Sequence, residues 1–382
     1  MRFFQFFVVM RFFYFCIGAA WLATACSKTP DQAGTFFPAP DNPPVDIRYA
    51  SVRMDTLRID SLATSFNGLT TVGRRGVYFL DELFCWLYRL DAAGKPQTRL
   101  LGQGRSNREV PVKRIDGYAV SPDGEHCLVG STHDIYLFDS AGYRLRFLNL
   151  KPADERQDEL PAWERFEVYS LCYDNLIVRF NGNRMFLNVM AADEIFNLST
   201  PDYSRRAHIL MEVDALTGEV QAYLGHYSPA IGEMTAFWGV HYDITPRGEF
   251  FVGYEADSLI YVYDENFKAL RSFGRAGREM RTAYRTLEQG PQYKRTAREE
   301  RREKGFYTSL RWVGDRLLRT YCRGGDAPTD GLQIYDGTTL IADVDVPKGM
   351  KIAGYIEPYY YSQIVTDDEN ETLTLYRFKL DK

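Results

Sequence analysis

Short apolar runs that close on an aspartate before a turn recur along this chain. The copies are Leu87-Tyr-Arg-Leu-Asp91, Ile135-Tyr-Leu-Phe-Asp139, Leu210-Met-Glu-Val-Asp214, Ile260-Tyr-Val-Tyr-Asp264 and Leu332-Gln-Ile-Tyr-Asp336, with a weaker sixth, Leu375-Tyr-Arg-Phe-Lys-Leu-Asp381. The intervals between these aspartates are 48, 75, 50, 72 and 45 residues. Three of them match the length of a four-stranded propeller blade, and the other two equal a blade plus an insert. Each copy has a turn and a strand upstream, as in Ser121-Pro-Asp-Gly124 or Thr245-Pro-Arg-Gly248. Downstream, the aspartate opens a tight turn such as Asp139-Ser-Ala-Gly142. A carboxylate at that position can accept a hydrogen bond from the amide two residues on, so the repeated Asp is a structural signal. Alternating apolar and polar positions within the runs suit sheets stacked face to face.

Six copies predict an all-β, six-bladed β-propeller. The last copy reaches the C-terminus without room for a fourth strand. Residues 47–60 are free to supply it, closing the ring and removing two exposed sheet edges.

The N-terminus follows a different pattern. Residues 12–22 form an eleven-residue apolar core behind Arg11, the length of a secretory h-region and too short to span a bilayer. A start at Met1 gives the alternative of an uncleaved anchor over about residues 3–25, with Arg11 near its middle. Ala23-Thr-Ala-Cys26 then resembles a bacterial lipoprotein signal, which implies lipidation of Cys26 and attachment to a membrane of the cell envelope. The domain reading is a signal peptide over 1–25, a proline-rich tether over 26–44 and the propeller over 45–382.

Composition narrows the functional classes. Of 46 basic and 51 acidic residues, Arg2 and Arg11 leave with the signal, so the remainder is acidic, at about −7. That balance excludes a nucleic-acid-binding surface. Cys85, Cys127, Cys172 and Cys322 lie in separate repeats with no CxxC spacing, which predicts buried free thiols rather than a zinc site.

The Asp-turn-strand grammar, with Phe273-Gly-Arg-Ala-Gly277 after one outer strand, is similar to that of NHL and TolB-like six-bladed propellers. Together with the lipobox it resembles the six-bladed propeller lipoproteins of Bacteroidota. The resemblance specifies fold over residues 45–382 and carries no particular activity.

In such a ring, the loops between blades and the loops joining the middle strands share one face. The inserts 151–166, 190–206 and 278–305 all belong to these two classes and would crown the same rim. They and the adjoining strands carry the candidate ligand-binding residues Trp163, Arg165, Tyr203, Arg206, Trp238, Arg278 and Tyr307. Aromatic faces with arginines suit sugars, peptides or a protein partner; the same residues are also what would anchor the loops. No GxSxG, HExxH or phosphate-binding loop occurs, and no cofactor or catalytic residue is expected. His226 and His241, with Asp243, are the histidines most able to meet near the channel. The functional expectation is a non-enzymatic envelope lipoprotein that binds a glycan, peptide or protein through the crowned face. The alternative is a hydrolase or lyase acting on an extracellular polymer at the channel mouth, for which paired carboxylates or histidines there would be the mark.

Overall fold

A computed structural model of the chain describes residues 40–380, apart from residue 61 and residues 131–132, 173–174, 232–235 and 288–290. Six antiparallel sheets form a six-bladed β-propeller. Blade one comprises Gly68–Gly73, Gly76–Asp81, Leu87–Leu90 and Pro96–Leu100, paired in that order from the inside outward. Blade two (Ile115–Val120 to Arg144–Asn149), blade four (Val240–Ile244 to Ala269–Phe273) and blade five (Phe306–Val313 to Thr339–Val346) repeat this pattern. Blade three is the irregular one. Its innermost position is shared by Tyr169–Leu171 and Val178–Asn181, and its outer strand Glu219–His226 takes a short parallel partner at Lys151–Pro152.

Blade six contains Ile352–Ile356, Tyr359–Ser362 and Thr372–Phe378, and its outer strand comes from the other end of the chain. Asp55–Arg58 pairs antiparallel with Thr372–Phe378, Asp55 opposite Arg377 and Arg58 opposite Thr374. This is the expected closure, made by four of residues 47–60. The residues before it run along other blades. The amide of Asp41 bonds to the Ser272 carbonyl at 2.8 Å, Arg275 donates to the Pro43 carbonyl at 2.9 Å, and the Arg48 amide reaches Ile341 at 2.9 Å. Residues 41–44, read from sequence as the end of a tether, are therefore bonded to blade four. Cys26 and the signal lie outside the described residues.

The repeated aspartates do what their turns require. Asp91, Asp139, Asp214 and Asp264 each begin the hairpin between third and fourth strands and accept bonds from two downstream amides. Asp139 Oδ1, for example, takes those of Ala141 at 2.9 Å and Tyr143 at 2.8 Å. The turn ends in a left-handed residue, glycine at 94, 142 and 218 but Phe267 (φ 59°) in blade four, where a side chain bears the strain. Asp336 departs from the rule: it pairs with Arg48 and Arg316 instead. Asp381 lies outside the described residues.

Alternation of exposure is seen in outer strands such as Arg144–Asn149, where Leu145 and Phe147 are the exposed residues. Second strands such as Gly76–Asp81 are buried on both faces, because successive side chains point toward the two neighbouring blades. In Gly76–Asp81, Val77 and Phe79 pack on Tyr361 and Leu375 of blade six, while Tyr78 and Leu80 pack on Tyr118 and Leu128 of blade two. Equivalent apolar seams lie between blades four and five and between five and six, and one larger cluster spans blades two to four. None of Cys85, Cys127, Cys172 and Cys322 forms a disulfide; Cys85 and Cys127 are buried, as expected, whereas Cys172 and Cys322 are half-buried, and burial pushes the first two thiols up to about 11 and about 12.

Removing residues 41–58 strips the outer strand from blade six and uncovers the Leu375 seam. The truncated chain should lose cooperative unfolding in thermal circular dichroism, and retention of the parental melting temperature would refute closure as a requirement.

Candidate functional site at the channel mouth

Inner strands converge on the propeller axis, so whatever polar residue stands near the start of each inner strand faces the channel. That end of the strands lies on the face carrying the inter-blade loops, because each inner strand is entered from one. A cavity of about 180 Å³ opens there, walled by all six blades.

Two charged groupings contribute to its wall. In the first, Arg179 and Arg311 line the cavity, and Asp243, buried on the inner strand of blade four and not itself part of the lining, takes four bonds. Its Oδ1 accepts from Arg179 Nε at 2.6 Å and from the Ile244 amide at 3.1 Å; its Oδ2 accepts from Arg311 Nε at 2.9 Å and from the Trp312 amide at 2.8 Å. Three blades are thereby tied through one carboxylate. Burial alone would raise that carboxyl, but Arg311 and Arg179 outweigh it and hold it below its ordinary value. Burial, together with the neighbouring Arg179, pushes the Arg311 guanidinium down to about 10. Lys351, just ahead of the inner strand of blade six, lines the same cavity and is pushed down by burial.

On the opposite side, Arg114 joins two carboxylates. Its Nε lies 3.0 Å from Asp116 Oδ1, and a terminal nitrogen lies 3.3 Å from Glu82 Oε2. Burial raises the Glu82 carboxyl more than Arg114 lowers it. Thr70, Asn175 and Gln363 complete the wall with neutral polar groups.

Of the histidines, His241 lies at the cavity, with Nε2 3.0 Å from the Tyr307 carbonyl and Nδ1 3.4 Å from Asn175. His226 does not join it. It sits in the outer strand of blade three against His208, ring centres 4.7 Å apart. Among the described residues no group of three or more His, Cys, Asp or Glu side chains is arranged to hold a metal.

The seven residues singled out from sequence divide into two groups, and none lines the cavity. Around blade three, the Arg206 guanidinium lies 4.3 Å over the Trp163 ring, and Tyr203 and Trp238 meet edge to face at 5.6 Å. Tyr203 is buried, its hydroxyl donating to the Ala191 carbonyl at 3.0 Å. The Trp238 indole N–H is buried without a hydrogen-bond partner among the described residues. Arg165 turns back on its own insert, donating to the carbonyls of Leu160 and Asp158. In blade five, Tyr307 is buried beneath Arg319, 3.9 Å from its ring, and the half-exposed Arg278 pairs with Asp345 on the outer strand. The helix Tyr293–Glu303 in the last insert, rich in charges of both signs, is pinned on one side. Arg301 forks onto Glu255 with two 2.7 Å bonds, and Glu300, fully buried, takes Arg285 rather than Lys304.

Sequence reasoning missed Arg114, Glu82, Asp116, Arg179, Arg311 and Lys351. The available signal was positional: with the aspartate repeats aligned, a charge in or next to a first strand, or just after a second strand as with Glu82, is a charge at the channel.

No family model matches the chain, and no curated protein matches it in sequence. Solved structures share its fold. A member of the DUF4221 family from Bacteroides vulgatus superposes with a TM-score of 0.63 at 14% identity, over 87% of this chain and 98% of that one. A Bacteroides fragilis protein named as exported gives 0.54 at 10% identity, over 88% and 98%.

Asp243→Asn leaves two arginines side by side without a counter-charge and should cost about 3–5 kcal/mol in urea unfolding, as for other broken buried pairs. A change within about 0.5 kcal/mol would sink the account. A second effect follows from burial of His126, His226 and His241, each held down at about 4. The unfolded chain takes up those protons near pH 6.5 and the folded one does not until about pH 4, so stability falls as pH drops through that window. The slope should approach about 1.4 kcal/mol per pH unit for each histidine fully linked, and should flatten in His126→Gln. A stability profile without slope between pH 6.5 and 4 contradicts this.

Proposed function

We propose that this chain is an envelope lipoprotein, anchored through Cys26, whose propeller binds a glycan, peptide or protein partner on the face bearing the inserts. The observation that carries the reading is the placement of a polar cavity of about 180 Å³ on the face where all the long inserts stand. The NHL and TolB-like strand grammar fits a binding scaffold, and fold alone assigns no chemistry. In this reading Trp163, Arg165, Arg206 and Arg278 belong to the rim, while Tyr203, Trp238 and Tyr307 support it from beneath. The cavity is the deeper site, where the end of a ligand would be held.

One observation favours a second reading, a hydrolase or lyase acting on an extracellular polymer. Glu82, with its carboxyl raised by burial, and Asp116 both contact Arg114 at the mouth. Two carboxyl groups in unequal environments are what acid and base roles require. Arg114 engages both, however, and a carboxylate held by an arginine is a weaker base than a free one.

The test is a thermal-shift screen of the purified full-length chain against envelope glycans and peptides, with product analysis on every hit. A ligand at about 100 times its dissociation constant adds about 2.7 kcal/mol to the folded state. The binding reading expects a shift without turnover. Turnover that Glu82→Gln abolishes while binding survives would replace it with the enzyme.

A further inference from the structure

The insert between blades four and five is basic in a chain that is acidic as a whole. Residues 278–305 carry nine Lys and Arg against five Asp and Glu, where the full sequence has 46 against 51. The helix Tyr293–Glu303 within it has two unlike sides. Tyr293 and Ala297 pack with Phe237 and Leu287, Glu300 is buried against Arg285, and Arg301 forks onto Glu255, so these positions face the propeller. On the outer side Lys294, Arg298 and Arg302 recur at every fourth residue. All three are exposed, and none pairs through its side chain with a described residue. The acids of the helix are already engaged: Glu299 lies 3.8 Å from Arg295, Glu300 holds Arg285, and Glu303 takes Lys304 at 2.7 Å. Glu279 at the start of the insert and Asp326 on the adjoining loop are exposed acids left over, but neither lies on the helix. Successive cations in the row stand about 6 Å apart along the helix axis. None of them lines the channel cavity, so the row is separate from the ligand site proposed above. Charges strung along the outside of a helix suit a flat or extended anion rather than a small one.

The place where the chain joins the propeller decides between those two. The Asp41 amide donates to the Ser272 carbonyl at 2.8 Å, the Gly274 amide to Asn42 Oδ1 at 2.8 Å, and Arg275 to the Pro43 carbonyl. In an antiparallel four-stranded blade the outer strand ends on the face where the inner strand begins. The chain therefore joins on the insert-bearing face, three residues ahead of the basic insert. Cys26 precedes Asp41 by fifteen residues, a reach of about 50 Å at full extension. Three exposed charges attract a free polyanion only weakly, whereas a surface to which the chain is already tied is present at high effective concentration.

Resting on the reading that Cys26 carries a lipid, we propose that the outer side of this helix docks on the anionic headgroups of the membrane that holds the anchor. Lys294, Arg298 and Arg302 make the contact. The docked sector is that of blades four and five, and the aromatic inserts of blade three belong to another.

The test reconstitutes the full-length lipidated chain in vesicles of phosphatidylcholine, with or without phosphatidylglycerol, and follows amide hydrogen exchange over residues 293–303. Mass spectrometry of the same sample reads the acyl group on Cys26. Exchange over the helix should slow about threefold or more on the anionic vesicles at low salt, and the difference should vanish at about 1 M, where the screening length is about 3 Å. The triple variant Lys294→Gln, Arg298→Gln, Arg302→Gln keeps good helix formers and every ion pair of the insert, so it should fold. At about fivefold per charge near an anionic surface, it should lose about a hundredfold in docking and with it the protection. Equal exchange on neutral and anionic vesicles, or protection that survives in the triple variant, would overturn the docking proposal; an acyl group on Cys26 would then leave the lipoprotein reading standing. Protection that appears on neutral vesicles once polygalacturonate or polyglutamate is added, and not with phosphatidylglycerol, would overturn it in favour of a soluble polyanion. A Cys26 without an acyl group would remove the lipoprotein reading and the docking proposal together.

Discussion

Everything in this propeller rests on one strand pairing between the two ends of the chain. A ring of blades has no free face only when it is complete, because strands such as Gly76–Asp81 are apolar on both sides and each side needs a neighbour. Phe79 needs blade six as much as Leu80 needs blade two. The pairing of Asp55–Arg58 with Thr372–Phe378 gives blade six its fourth strand, and Arg377 adds an ion pair to Asp55 across it at 3.1 Å. The following segment is fastened by Asp81, whose buried carboxylate accepts from the Ser65 amide, the Thr64 hydroxyl and the amides of Leu83 and Phe84. Such a carboxylate is tolerated in the interior because its lone pairs are filled by fixed donors. The preceding segment is fastened too, by the backbone bonds of residues 41–48 along blades four and five.

The same closure creates the channel. Six inner strands cannot meet at a point, and the space they leave is lined by residues along their length, from Arg114 and Lys351 at the entry to Arg179 and Arg311 further along. Apolar side chains there would fill it; charged ones keep it open and wet. Here they also couple the blades, since Asp243 holds Arg179 of blade three and Arg311 of blade five at once. The cost of burying that trio is offset by four hydrogen bonds to one carboxylate, which is why breaking it matters more than its modest net worth when intact.

The fold was legible because its signal is local and repeated. Asp91, Asp139, Asp214 and Asp264 each carry a turn that the carboxylate itself stabilises, and their spacing counts the blades. Asp336 kept its place in the spacing while exchanging that duty for two arginines, so the count held where the mechanism did not. The site was far less legible. Arg114, Arg179, Arg311 and Lys351 are scattered over more than half the chain, and only ring closure brings them to one cavity. The inserts drew attention because aromatic and arginine residues cluster there in sequence. Much of that clustering is internal, as when Arg206 covers Trp163 and Tyr203 packs against Trp238.

The two layers of this face differ in what they can recognise. The rim arginines are partly spent, Arg165 on backbone carbonyls and Arg278 on Asp345, so the rim offers shape and aromatic surface more than charge. The channel mouth offers charge in a recess, where the dielectric is lower and a misplaced charge is penalised more heavily. Under the proposed binding role, discrimination between ligands would fall to the mouth, where a charge is fixed in a recess, and contact area to the rim.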